Sequence, residues 1–389
     1  MPDDRLIEAL CQLCRAAAGR DHSTETVDSW LHYEGRPHLD RVLALMRKDP
    51  VIATAFQGQH FLYLATGSGT GFGPQFWLDG FLRAAEKRAP DGWADEARSF
   101  LSVLRVERGR VPVQVRTTLA GLKLGTGAPI DLPFGRLRLA QPVDFSASRY
   151  TADLPPAAVF EYEHQIPAAV AQADPFTGPS GAELRQRVEA EHDRHVARVL
   201  LALALVHDGP VQEHIVWRAP RYSGSGSSIN APPLAPIVAE WHYEIASGPR
   251  LDRLVETAEA MADISMDHLT VAVRRYLVAR AERTRPTDQI VDYVIAIESM
   301  TGVGGGPARG RALAALIAPG LSEADEVEAD HKRLTDLRND IIHKGATPVD
   351  APEVARLGRE LVRRGLDALV RRELDEKKAE LAGSSVVRG

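Results

Sequence analysis

The chain has 389 residues, too many for one ordinary hydrophobic core, so two or three domains are expected. Hydrophobic residues make up 44% and charged residues 26%, a balance that excludes a disordered chain. The net charge of −6 argues against a surface built to coat long nucleic acid, so any nucleic-acid contact is expected in a local cleft.

No membrane partner is expected. The longest apolar run, residues 199–206, falls far short of the roughly 20 residues that cross a bilayer. The start of the chain, Met1-Pro-Asp-Asp4, is acidic where a secretory signal is basic, and no long apolar stretch follows it. A soluble, cytoplasmic protein is the expectation.

Residues 1–102 read as a mainly helical region. Leu6, Leu10 and Leu13 recur at helical spacing, as do Leu39, Val42 and Met46, and then Phe81, Leu82 and Ala85. The two cysteines, Cys11 and Cys14, share the first of these helices. A zinc site needs two more ligands and a redox pair needs a strand-to-helix junction, so they read as structural thiols. Phe61-Leu-Tyr-Leu64 reads as a short strand. The glycine-rich stretch 67–74 lacks the Gly-Lys-Ser/Thr ending of a phosphate loop and reads as a connection.

Residues 103–248 read as a mixed α/β domain. Val111, Val113 and Val115 alternate with Pro112 and Gln114, and Leu137 and Leu139 alternate with Arg136 and Arg138. Segments 160–164 and 214–217 are further strand candidates, with a helix at 182–206 between them. His192 and His195 have the spacing of helical metal ligands but lack a third, and read as surface histidines. Trp217 and Trp241 read as core or interface aromatics. Ser223-Gly-Ser-Gly-Ser-Ser-Ile-Asn-Ala-Pro-Pro233 has the composition of a loop or linker.

Residues 249–383 read as a helical domain. Helices are expected at 251–262, 267–282, 286–301, 310–317, 322–343 and 350–381. Ser322-Glu-Ala-Asp325 resembles a capping box, and Gly345 suits a left-handed cap. On helix 322–343, Leu334, Leu337 and Ile341 make the expected buried stripe, while Asn339 and His343 share another face with Arg338 to one side; the long Arg338 side chain, or fraying at the Gly345 end, is expected to bring Arg338 and His343 to one phosphate. On helix 286–301, Glu298 extends the apolar stripe of Val291, Val294 and Ile295. It either pairs with Arg338 or reaches water at the end of the bundle. The arginines of the glycine-rich segment 302–311, Arg309 and Arg311, either track an RNA backbone or belong to a plain connector. Arg363, Arg364, Arg371 and Arg372 are offset by acids and read as a solvated face.

Asp288-Gln-Ile-Val-Asp-Tyr-Val-Ile-Ala-Ile-Glu298-Ser-Met, followed by Leu337-Arg-Asn-Asp-Ile-Ile-His-Lys-Gly345, resembles the HEPN superfamily, and within it the ApeA-like branch. The resemblance covers about residues 251–381. The family motif is Arg, four to six residues, then His, often with a polar residue directly after the Arg. Here that is Arg338, Asn339 and His343. Arg187 with His192 and Arg15 with His22 also fit the spacing, but only Arg338 has the following Asn, the nearby Gly and the acid-bearing helix upstream.

The resemblance implies an all-α HEPN-like bundle at the C-terminus of an α+β multidomain chain. It also implies a homodimer and a metal-independent endoribonuclease acting on RNA, including tRNA, as a toxin or antiviral effector. The residue types suit that chemistry. RNA carries its own nucleophile, the 2′-hydroxyl. The imidazole of His343 suits proton transfer near neutral pH, and Arg338 suits charge stabilisation at phosphorus. Asn339 is expected to hold the phosphate or orient the imidazole, Glu298 to hold Arg338, and Lys344, Arg309 and Arg311 to contact RNA. No cofactor and no metal are expected. Two other readings stand beside this one. A HEPN-like module can bind nucleotide, RNA or a partner without cutting, or residues 1–248 can hold the main function while the helical domain dimerises.

Overall fold

The structure, a computed structural model, describes residues 2–19, 30–31, 33–56, 60–66, 69–71, 74–106, 108–125, 127–141, 157–207, 209–223, 227–229, 243–245, 248–262, 269–303, 306–318, 320–345 and 348–386. His22, His32 and Trp241, together with parts of the 67–74, 223–233 and 302–306 segments, lie outside them. The chain is mixed α/β. It divides into two compact units, one of residues 1–116, 161–191 and 216–229, the other of 117–160, 192–215 and 230–389. The units interleave along the chain, where sequence pattern drew three consecutive segments.

The first unit opens with α1 (Pro2–Ala18), α2 (Arg36–Met46) and α3 (Pro50–Ala55), continues with α4 (Pro74–Ala85), and reaches α5 (Trp93–Leu104). On α1, Leu6, Leu10, Leu13, Cys14 and Ala17 are buried at spacings of three and four, the stripe that a helix needs to dock. The cysteines are buried and free, in keeping with structural thiols. Burial, with Cys11 next in effect, pushes the Cys14 thiol up to about 12, so it stays protonated and inert at neutral pH. The carboxylate of Asp49 caps α3 by accepting from the Val51 and Ile52 amides.

The main sheet has the order β2-β1-β7-β3-β8-β9, with the hairpin of β5 (Ile130–Leu132) and β6 joined to β7; β4 (Leu122–Leu124) and β10 (Tyr243–Ile245) pair in parallel as a small second sheet. The long strands are β3 (Arg108–Ala120), β7 (Ala157–Ala171) and β8 (Gln212–Pro220). Val111, Val113 and Val115 are buried as their alternation requires. Leu137 is buried in β6 (Gly135–Leu139), but Leu139 at its end is exposed. Two stretches read as loops contribute short strands. β2 (Gly69–Gly71) pairs antiparallel with β1 (Phe61–Leu64), and β9 (Ser227–Ile229) pairs antiparallel with β8. A sheet edge can recruit glycine- and serine-rich chain through backbone hydrogen bonds alone, which composition does not reveal.

His192 is not a surface residue. It lies on α6 (Pro179–Val206), is buried, and shares a hydrogen bond with Glu213 of β8 at 2.7 Å. The partner comes from 21 residues away, so the charged run around it looked solvated in sequence.

The second unit carries α7 (Pro249–Ala262), α8 (Thr270–Ala281), α9 (Pro286–Thr301), α10 (Pro307–Ile317), α11 (Leu321–Lys344) and α12 (Ala351–Val386). α9 packs against α8, α11 and α12, and α10 packs against α11 and α12. The core face of α9 is Ile290, Tyr293, Val294, Ala296 and Ile297; of the Val291, Val294, Ile295 and Glu298 stripe read in sequence, Val294 is buried and the other three are half-buried. Gly302 and Gly345 close α9 and α11 in the left-handed region, at φ 61° and 64°. The capping box is not formed. Gly320 is the N-cap of α11 and no side chain caps it, because the helix begins at Leu321 and takes Ser322 inside it; Glu323 pairs with Arg364 of α12. Among the described residues no helix is long and apolar enough to cross a membrane.

Gly358 of α12 sits where a Cβ would lie 2.9 Å from Tyr293 Cδ2 and 3.0 Å from Leu334 Cδ1. Gly358→Ala is expected to destabilise the protein by about 1–3 kcal/mol through overpacking, although alanine is the better helix former by roughly 1 kcal/mol. A urea melt that shows equal or higher stability removes this account of the α9–α11–α12 junction.

Candidate active site

Arg338, Asn339 and His343 all lie on the last two turns of α11. That end is less covered than its sequence stripe suggests. Leu334 is buried, but Leu337 and Ile341 are half-buried and Ile342 is exposed. Arg338 is half-buried. Its Nη1 donates to Asn339 Oδ1 at 3.0 Å, and its Nε is buried without a hydrogen-bond partner. Asn339 thus holds the guanidinium, a role different from the expected contact with phosphate or imidazole. His343 is exposed in the last turn.

The charges of α11 set Arg338 apart. Lys332 pairs with Asp336, Arg333 with both Asp350 and Glu353, and Lys344 with Asp340 at 2.7 Å. Among the described residues Arg338 meets no carboxylate, and neither does His343. Lys344, expected to touch RNA, is largely exposed but has its charge matched within the helix. Arg338 and His343 are five residues apart, which on a regular helix separates their directions by about 140° and their heights by about 7.5 Å.

Glu298 does not hold Arg338. Its Oε1 accepts from Arg309 Nη1 at 2.7 Å. Arg309 is in turn no loop residue tracking a backbone, because α10 begins at Pro307 and takes Arg309 into the interior, 8% exposed. A buried guanidinium demands a carboxylate, and Glu298 at the end of α9 supplies it. Arg311 lies on the same helix and is exposed. The sequence pointed to Glu298 and Arg309 separately, and missed that they are partners.

It also missed the third member of this cluster. His331 of α11 is 3% exposed, near Arg309 and Glu298, with the Thr335 hydroxyl 3.5 Å from its Nε2. Gly310 allows the approach, since a Cβ there would be 3.3 Å from His331 Nδ1. Burial first, and then the Arg309 charge, lower the His331 pKa from its usual 6.5, with Glu298 opposing. The unfolded chain therefore binds more protons than the folded one below about 6.5, so stability is full above that pH and falls as acid is added. His331→Phe is expected to flatten the dependence of the denaturant midpoint between pH 7.5 and pH 5. An unchanged slope assigns the dependence to other groups.

Two further buried ionic features escaped the sequence reading. Asp292 of α9 is 2% exposed between Arg275 and Arg283. Arg280, 7% exposed, donates to the carbonyls of Ala204, His207 and Gly209, satisfying acceptors at the end of α6 that the helix itself leaves open. Isolated arginines in amphipathic helices carry no mark in sequence that separates buried from solvated ones. Among the described residues no three His, Cys, Asp or Glu side chains converge as metal ligands. Comparison of the chain with protein-family models, curated proteins and solved structures found no match.

Proposed function

We propose that this protein is a metal-independent endoribonuclease of the HEPN type, a homodimer that cleaves RNA such as tRNA and serves as a toxin or antiviral effector. Helices α7 to α12 are its HEPN-like bundle. The observation that carries the reading is the state of Arg338. Among the described residues the other surface cations of this helix are each matched by an acid, whereas this guanidinium meets a neutral amide, five residues before an exposed imidazole. An uncompensated arginine recruits a phosphate by charge and by its planar donors.

The chemistry follows from those groups. The neutral imidazole of His343 takes the proton of the RNA 2′-hydroxyl as that oxygen attacks the adjacent phosphorus. Arg338 stabilises the negative charge that grows on the five-coordinate phosphoryl group, and Asn339 keeps the guanidinium in place. The bond from phosphorus to the 5′-oxygen breaks, and that oxygen gains a proton. The products are a 2′,3′-cyclic phosphate, which water opens to a 3′-phosphate, and a 5′-hydroxyl. On a regular helix the positions of Arg338 and His343 lie about 140° apart, which favours a phosphate held between groups of two chains. A second copy related by a two-fold axis supplies the missing group.

The same separation also suits a module that grips RNA through Arg338 without cutting. A cleavage assay on purified tRNA and total RNA in excess EDTA separates the two readings. Discrete products with cyclic-phosphate ends are expected from the wild type. RNA binding without any product, across neutral pH, selects the binding module.

A further inference from the structure

A second cluster of positive charge in the helical part is not used by the proposed reaction. Asp292 presents both carboxylate oxygens to arginine. Arg275 Nη1 donates to Oδ1 at 2.8 Å, and Arg283 Nε donates to Oδ2 at 2.9 Å. The carboxylate is buried, yet the arginine side chains are 42% and 41% exposed. One arginine would neutralise one carboxylate. The second leaves a guanidinium whose remaining N–H groups face solvent, near Glu282 and Asp288, so the pair offers fixed donors more than net charge.

The two forks are fixed in advance. Arg283 lies just beyond α8, where its amide donates to Val278 O at 3.2 Å and its carbonyl accepts from Gln289 Nε2 at 2.8 Å. Arg275 stands on α8 itself. Each guanidinium has five N–H groups and spends one on Asp292; neither side chain makes another hydrogen bond or ion pair among the described residues. Glu282 and Asp288 lie near Arg283 and weaken the local field, so the cluster favours a single small anion that takes several hydrogen bonds over a broad anionic surface. Two immobilised guanidinium planes on one carboxylate match the oxygens of a phosphate group, and their fixation removes the ordering cost that flexible surface arginines carry on binding.

We propose that Arg275 and Arg283, clamped by Asp292, form a binding site for a phosphate group, supplied by the backbone of a single RNA strand or by a free phosphate ester. The site is built from different residues than Arg338 and His343 and does not depend on cleavage.

The test reads binding alone. Fluorescence anisotropy with a labelled 2′-O-methyl RNA oligonucleotide, which lacks the 2′ nucleophile, is run on the full chain and on Arg275→Gln and Arg283→Gln. Each substitution is expected to weaken binding about 3- to 10-fold and to reduce the slope of log K against log salt by about 0.7, as for one lost phosphate contact on a single strand. Arg274→Gln, an exposed neighbour with the same loss of charge, is expected to change affinity less. Arg275→Lys keeps a charge for Asp292 but loses the fork; it is expected to fall between wild type and Arg275→Gln, and it reports on the site if the glutamine variants do not fold. A thermal upshift by inorganic phosphate at constant ionic strength, lost in both glutamine variants while RNA affinity is unchanged, assigns the site to a free phosphate ester. Folded variants with wild-type RNA affinity, salt slope and phosphate response overturn the proposal, as does an Arg274→Gln effect equal to theirs. Absence of cleavage by the wild type in the EDTA assay bears on Arg338 and His343 only.

Discussion

His343→Ala is expected to lower RNA cleavage by about 10²- to 10⁴-fold, the usual worth of a positioned proton-transfer group, with no loss of fold. The side chain is exposed at the end of α11, so its removal leaves no cavity and no unpaired buried atom. Arg338→Ala is expected to cost about 10²- to 10³-fold through lost charge stabilisation. It also removes the donor that Asn339 Oδ1 accepts from. A mixture of the two mutants is the sharper experiment. If one catalytic centre takes Arg338 from one protomer and His343 from the other, a mixed dimer has one centre with both groups and one with neither. Mixing two inactive preparations, with time to exchange subunits, is then expected to restore activity. If each protomer supplies both groups to its own centre, neither centre in the mixed dimer is complete and the mixture stays inactive. The 140° separation on a regular helix favours the first outcome. Full activity of His343→Ala alone removes the ribonuclease proposal altogether.

Much of the helical part was legible in the chain because its signals are local. Apolar spacing gave the helices, Pro286 and Gly302 bound α9, and Gly345 terminates α11 where a left-handed residue is needed. The alternation of Val111, Val113 and Val115 marked β3 for the same reason. What was not legible depends on partners distant in sequence. β9 is a strand because β8 lies beside it, and His192 is buried because Glu213 meets it. The Ser322 box looked like a cap, but the helix begins at Leu321 and takes Ser322 inside it. At the candidate site the chain located Arg338, Asn339 and His343, and singled out Glu298 as a carboxylate in need of a cation. It offered Arg338 or water as the partner of Glu298 and left Arg309 in the glycine-rich connector, because the glycines on either side of Arg309 hid the start of α10 at Pro307. Nor did it mark His331, a histidine whose burial follows from the absence of a side chain at Gly310.

That choice of partner makes Glu298→Ala a decisive substitution, with an expected loss of stability of about 2–3 kcal/mol. Removing one member of a buried ion pair costs on the order of 3–5 kcal/mol, because the other charge is left desolvated. The Glu298 side chain is 36% exposed, so water reaches part of the vacated space and the figure is reduced accordingly. Arg309, with its Nε already buried and unpartnered, is the group left stranded. For a chain unit of this size the loss corresponds to a drop of about 5–10 °C in Tm. The double variant Glu298→Leu with Arg309→Met removes both charges and is expected to regain most of the loss, since a packed apolar pair avoids the desolvation cost. Activity provides the second axis. If Glu298 serves only Arg309, then well below its melting temperature Glu298→Ala retains cleavage close to wild type, and the loss emerges on warming. The contrary result is a variant as stable as wild type that cleaves as poorly as Arg338→Ala. It would mean that Glu298 engages Arg338 during catalysis, and that its contact with Arg309 is dispensable to the fold.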